Sequence, residues 1–239
     1  MTAGGRAPST HAQTLARGID LLEILAESGE PRSIPELVDA LGLHRSVVYR
    51  LLRTLEERGL ATRDDDGRAR LGPRLATLAR SVALDLQAAA LPELGALANE
   101  LDATAFISLL DRGEAVTLVS AEPKASLAAV ARRAGARHPI NRGAPGIAIQ
   151  ALLDDAGIAE LEAAGLAVPP AVRRRAIAAG YATSHSEVVM GLSSVAVPLE
   201  LAGHGPASLA VIHFSRPGAV EPIARRLRLA AREIRAGLR

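Results

Sequence analysis

Cysteine and tryptophan are absent from the 239 residues, and aromatic side chains make up only 2% of them. Without cysteine there are no disulfides, no thiolate nucleophile and no cysteine-ligated zinc. With two phenylalanines and two tyrosines, any core must be built from Leu, Ala, Val and Ile, which the 49% hydrophobic content allows. Lysine is nearly absent too: of 28 basic residues all but Lys124 are arginine, and against 26 acidic residues they leave a net charge of only +2. Bulk charge therefore makes no case for nucleic acid, and any such case rests on where the arginines sit. No apolar run approaches the ~18 residues of a membrane span, and no signal-peptide pattern opens the chain. A cytoplasmic protein of two domains is the expectation.

What is present is concentrated between residues 33 and 72. Ser33 and Glu36 stand at capping-box spacing, where each side chain satisfies a backbone N–H of a new helix, and Gly42 ends that helix. A second helix is expected from His44 to Arg58, with Val47, Val48, Leu51, Leu52 and Leu55 as its buried stripe. Two short strands, 60–63 and 68–71, flank Asp64-Asp65-Asp66-Gly67, a hairpin turn. Preceded by a helix over 14–28, this order is that of a winged helix-turn-helix, a layout that reads duplex DNA. Arg45, Ser46, Tyr49 and Arg50 fall largely outside the buried stripe, where they can reach base edges and phosphates. Arg63, Arg68 and Arg70 flank the wing tip and are candidates for phosphate or minor-groove contact. The plainer account of the same residues is a solvated helix face and a charged hairpin.

Residues 1–13 are expected to be a flexible N-terminus, 14–72 the winged helix-turn-helix, 73–90 a connecting helix and 91–239 a second domain. Leu75, Leu78, Val82 and Leu86 recur at helical spacing in the connecting helix, which is expected to join two protomers. Pro92 is expected to restart a helix to Asp102. Beyond it the period changes from helical to alternating. Strands are expected at 105–110, 115–119, 126–132, 181–184, 193–201 and 207–214, and helices at 143–154, 156–164, 169–179 and 220–238. The fold class is thus mixed α/β: a winged helix followed by an α+β domain. Gly143 and Ala144 open an apolar helix whose first N–H groups, at the positive end of the helix dipole, suit a ligand carboxylate.

Several stretches of the chain resemble the IclR family of bacterial transcription regulators. They are Ala16-Arg17-Gly18-Ile19-Asp20-Leu21-Leu22, Val48 to Leu55, Arg70-Leu71-Gly72-Pro73, His138-Pro139-Ile140 running into Gly143-Ala144-Pro145-Gly146, Ile177 to Ala182 with Glu187, and Gly191 to Pro198. The resemblance implies a GAF-like effector-binding domain, a homodimer or dimer of dimers, a double-stranded operator as partner, and a small effector, often a carboxylate. Matching family positions onto this chain adds Ser184, Leu192, Ser194 and His213 to Gly143 and Ala144 as effector-binding candidates. The chain departs from the pattern at Ile147, where lysine is common, and at Ser184, where an acidic residue is common.

No metal or cofactor is expected: His138, His185 and His213 match no ligand spacing. Two other readings stand beside a ligand-responsive regulator. One is a small-molecule enzyme with a vestigial helix-turn-helix. Ser184-His185-Ser186-Glu187 invites it, but neighbours on an extended chain point to opposite sides and cannot form one catalytic chain. The other is a constitutive DNA-binding protein, the better reading if no cavity lies between the sheet and residues 143–146.

Overall fold

A computed structural model of the chain describes residues 12–79, 81–124, 130, 132–214 and 220–238. Most of the expected strand at 126–132 lies outside the described residues. Those described form two compact units, divided after Val82.

The first unit holds α1 (Gln13–Ser28), α2 (Ile34–Leu41) and α3 (Arg45–Glu57), then β1 (Ala61–Arg63), β2 (Ala69–Leu71) and the short α4 (Arg74–Ala79). The capping box at α2 is complete, with Glu36 accepting from the Ser33 N–H at 2.7 Å and Ser33 Oγ accepting from the Glu36 N–H at 3.5 Å. His44 caps α3 through its ring nitrogen, which takes the Ser46 N–H. Leu21, Leu25, Leu37, Val48, Leu51, Leu52 and Leu55 close a small aliphatic core with Ala61 and Ala69 of the wing. Arg32 adds a backbone bridge to Ala69, so the segment before α2 ties the wing to the helices.

The second unit is an antiparallel six-stranded sheet covered on both faces. Its strands are β3 (Thr104–Asp111), β4 (Glu114–Ala121), β5 (Arg137–Pro139), β6 (Ala182–His185), β7 (Leu192–Leu201) and β8 (Gly205–Phe214), in the order β5-β4-β3-β8-β7-β6. Arg112 and Gly113, both with positive φ, make the two-residue turn between β3 and β4. On one face α5 (Leu84–Leu101) and α9 (Val220–Ala236) bury Leu86, Leu94, Leu97, Leu227 and Ile234 against Ile107, Val195 and Val211. On the other, α6 (Gly143–Gln150), with α8 (Pro170–Ala179) beside it, packs on Phe106, Leu192, Ala196, Ala210 and Ile212. The helix between them in sequence, α7 (Asp155–Ala163), adds Leu161 to a cluster with Ile140 and Ile149.

Two expectations change here. The helix is broken at 81–83 rather than before Pro92, which lies inside α5. Proline is accommodated because α5 is held by its buried face, Leu86, Ala90, Leu94, Leu97 and Ala98. The apolar stripe expected along one connecting helix therefore divides. Leu86 is fully buried in the second unit's core, whereas Leu78 and Val82 stand 51% and 54% exposed.

All eight residues of α6 are buried, which explains its lack of a polar side. Gly146 is required there, because a Cβ would lie 2.1 Å from the Ile140 carbonyl oxygen. Gly146→Ala should lower stability by about 1–3 kcal/mol, the range for overpacking a tight site. Urea unfolding would measure it, and an unchanged midpoint would show that the backbone yields without cost.

Candidate nucleic-acid interface and effector site

The start of α3 is exposed and carries the four expected side chains on its surface. The Arg45 guanidinium lies 5.6 Å from the Tyr49 ring centre and donates to its hydroxyl at 3.5 Å. That hydrogen bond, and then the charge of Arg45, hold the Tyr49 phenol below its ordinary pKa. Arg63 approaches the same ring at 5.7 Å. Tyr49 thus positions two guanidinium groups at the mouth between helix and wing. Arg50 is exposed and makes no ion pair among the described residues. Ser46 Oγ is engaged locally with the His44 ring at 2.9 Å.

The wing arginines differ from one another. Arg63 is tied to Glu56 at 2.6 Å, and Arg68 faces Glu36 at 3.5 Å. Among the described residues Arg70 has only a 3.3 Å hydrogen bond to Thr62 Oγ1. The wing tip is organised by Asp64, whose carboxylate accepts from the N–H groups of Asp66 and Arg68. Arg70 is consequently the wing arginine with fewest internal ties, a distinction that residue type alone does not reveal.

In the second unit, sheet pairing and α6 bring five of the six effector candidates together. Ser184 pairs with Ser194 across β6 and β7, and both face α6 together with Leu192. The Ala144 N–H donates to Ser184 Oγ at 2.9 Å. Ser194 Oγ donates its one proton to the Val211 carbonyl at 2.9 Å. His213 does not join them. It pairs with Ser193, one residue out of phase with Ser194, and so lies on the α5 and α9 face. There, with His185 and Ser193, it borders a cleft of about 630 Å³ with aliphatic walls that include Val195, Val211 and Ile223. Residue Val220 of its rim adjoins 215–219, outside the described residues, and the cleft carries no assignment. Ser184 and His185 likewise fall on opposite faces and do not pair; His185 instead hydrogen-bonds Ser193 Oγ at 3.0 Å and Ser186 Oγ at 3.1 Å.

The space between α6 and the sheet is a cavity of about 20 Å³, roughly the room for one water. The loop 186–191 joining β6 to β7 closes it: Val188 Cγ2 comes within 3.0 Å of where a Cβ at Gly143 would stand. Two residues that sequence spacing did not mark as site residues are also here. Glu187 Oε2 accepts the Gly143 N–H at 2.8 Å, and His138 of β5 lines the same cavity. The Arg132 guanidinium stacks 4.7 Å over Phe106, donates to Thr117 Oγ1 at 2.8 Å, and hydrogen-bonds His138 Nδ1 at 2.9 Å. Burial, and secondarily the charge of Arg132, pull the His138 imidazole down to about 4. Among the described residues no group of three or more acidic or histidine side chains is placed to hold a metal, and no helix is long and apolar enough to cross a membrane.

A winged helix with an arginine-bearing second helix, followed by a two-faced antiparallel sheet domain, places the chain in the helix-turn-helix class. Residues 14–65 match the IclR helix-turn-helix domain. The HTH-type transcriptional regulator Rv1719 of Mycobacterium tuberculosis is 35% identical over 142 residues, 59% of this chain and 54% of that protein, so the match spans about half of that relative's length. The HTH-type transcriptional regulator XynR of Escherichia coli is 27% identical over 203 residues, 78% of this chain and 80% of that one. Among solved structures, an IclR transcriptional regulator from Alicyclobacillus acidocaldarius aligns with a TM-score of 0.83 at 26% identity, covering 96% of this chain and 100% of the other. An IclR homolog from Microbacterium hydrocarbonoxydans, complexed with 4-hydroxybenzoate, aligns with a TM-score of 0.80 at 25% identity, covering 94% and 98%. Residues 14–65 thus form an IclR-type helix-turn-helix domain, and the chain as a whole is similar to proteins named as transcriptional regulators.

Proposed function

We propose that the chain is a transcription regulator that binds an operator through α3 and responds to a small carboxylate held at the start of α6. The observation that carries the first half is the exposed cluster of Arg45, Tyr49 and Arg50 at the N-terminal end of α3. In a winged helix that end enters the major groove, where arginine bonds guanine edges bidentately and the wing reaches the adjoining backbone. Arg45 and Arg50 are the base or phosphate contacts, Tyr49 the platform that orients Arg45, and Arg70 the wing contact. Arg63 and Arg68 act more weakly, since each must leave or share a carboxylate.

For the second half, the helix start at Gly143, the Ser184 hydroxyl, which accepts from Ala144 and keeps its proton to donate, and an apolar wall from Phe106, Leu192 and Ile212 are the chemistry of an acid with an apolar body. The related regulator that carries 4-hydroxybenzoate supports this class of ligand. A thermal-shift screen with 4-hydroxybenzoate and other small carboxylic acids tests it, because a ligand of the folded state raises apparent stability. The 20 Å³ cavity favours a second reading, a constitutive DNA-binding protein. No stabilisation by any acid, together with operator affinity that no acid alters, would select that reading.

Symmetric sites are read by symmetric proteins, and a homodimer or dimer of dimers is the proposed state. Leu78 and Val82, among the exposed large apolar residues, are proposed for a contact between copies. Changing both to glutamate should shift the mass measured by light scattering toward monomer. A wild-type chain that is monomeric at micromolar concentration would refute the contact.

A further inference from the structure

We propose that the 186–191 loop is a tethered plug: the Glu187 carboxylate sits where the effector's carboxylate goes and is exchanged for it, and His138 Nε2–H is a second donor to the incoming acid. The proposal rests on the effector reading above and extends it to two residues that reading does not use.

Gly143 is the first residue of α6, so its N–H has no partner within the helix. It is taken instead by a carboxylate 44 positions away, at 2.8 Å. A free carboxylate on that amide would make the same charge-assisted bond, at the same positive helix end. Glu187 and an external acid are therefore competitors for one donor.

The loop is built to leave. Its neck is held by Ser186 N–H to the Leu192 carbonyl at 2.8 Å, and by Gly191 N–H to Ser186 Oγ at 3.0 Å. These bonds are internal to the loop and its flanks and survive if it lifts. Its apolar tip is little buried: Met190 is 90% exposed and Val189 50%. Lifting the tip forfeits the cover that Val188 and Val189 give the cavity and the Glu187 hydrogen bond, and the acid replaces the latter.

His138 supplies an independent sign of a ligand. It is 5% exposed, and its Nε2 is one of four buried side-chain polar atoms without a hydrogen-bond partner among the described residues. Guanidinium donates and never accepts, so the Arg132 bond makes Nδ1 the acceptor and leaves the proton on Nε2. That N–H lies 3.4 Å from the Cβ position at Gly143, facing the same first turn of α6. A buried donor without an acceptor is costly and uncommon. The low imidazole pKa keeps the ring neutral near pH 7, so the tautomer persists. With the loop raised, a carboxylate on the Gly143 N–H is within reach of Nε2–H. Its apolar body meets Phe106, Leu192 and Ile212. Arg132 is then a positioning residue that fixes the tautomer of His138 without touching the ligand.

The measurement is calorimetric titration of the full chain with acetate and with benzoate, benzamide serving as the uncharged control. Wild type should bind both acids weakly and benzamide not at all. Glu187→Ala should bind the acids at least about tenfold more tightly, because the internal competitor that keeps the competent state scarce is gone. Glu187→Gln, which retains an acceptor without charge, should fall between. In the Glu187→Ala background, His138→Phe should forfeit about tenfold. If that variant does not fold, His138→Asn serves as the second, with about the same loss, its amide being too short to reach. Acids bound equally by wild type and Glu187→Ala would overturn the plug and leave the effector reading standing. Weaker binding in Glu187→Ala would make Glu187 a ligand-binding residue, also against the plug. Affinity unaffected by the His138 changes would remove His138 from the site. No acid bound by any variant would overturn both this inference and the effector reading.

Discussion

Replacing Arg45 and Arg50 together by alanine should weaken operator binding by roughly a hundredfold or more while leaving the melting temperature nearly unchanged. Each arginine contact to a base edge or phosphate is worth about 1–3 kcal/mol, and every 1.4 kcal/mol is tenfold. Both side chains are exposed and neither contributes to the aliphatic core of the first unit, so their loss removes contacts with DNA and not packing. The assay is a fluorescence titration at several salt concentrations, using a duplex selected from random sequence by the wild-type chain. Arg50→Ala alone should lower the salt slope by about one if Arg50 meets phosphate. If it reads a base, the slope should hold and discrimination at one position should relax. A double variant with wild-type affinity and slope would remove α3 from the interface. Tyr49→Phe makes a finer test, since it keeps the ring beneath Arg45 and removes the hydroxyl that Arg45 bonds.

Gln150→Leu should destabilise the second unit by about 3–6 kcal/mol, a large share of the 5–15 kcal/mol that holds an ordinary domain. Gln150 is fully buried at the end of α6. Its Nε2 donates to the carbonyls of Ile140 and Leu166 at 3.0 and 3.1 Å, and its Oε1 accepts the Val168 N–H at 2.9 Å. One amide thus pins α6 to the chain before it and to the loop between α7 and α8. Leucine matches its volume but leaves three backbone groups unpaired in a dry interior. Urea unfolding followed by circular dichroism measures the loss. A change under 1 kcal/mol would mean that the loop repacks to pair those groups elsewhere. Because α6 also presents the Gly143 and Ala144 amides, a partly folded variant should lose acid binding along with stability.

Much of the first unit was legible because its determinants are local. Ser33 and Glu36 are three residues apart, and the capping box they imply is present. Val48, Leu51, Leu52 and Leu55 repeat at helical spacing and are buried. Asp64 to Gly67 turns the chain through bonds between neighbours. Even there, the ion pairs of Arg63 with Glu56 and Arg68 with Glu36 escaped notice, because they join elements whose approach spacing does not encode. The break at 81–83 has a different origin. Leu75 to Leu86 has one continuous helical period, and only the attraction of Leu86 into the second unit's core interrupts it.

The sequence by itself determined most of the elements, their order, the α+β character of the second half and the helix start at Gly143, because propensity, capping and hydrophobic period act within a few residues. Only the tertiary structure decided which side chains share a site. Strand register selects one of two faces for every residue, so a one-residue difference across the β7–β8 ladder sends His213 away from Ser194. The edge strand β5 and the His138 it carries are fixed by pairing with β4, more than twenty residues distant. The carboxylate of Glu187 meets the Gly143 amide because a hairpin loop folds over the end of a helix from another part of the chain. Contacts between distant segments form only when the whole unit buries its sheet, and they decide what the site contains.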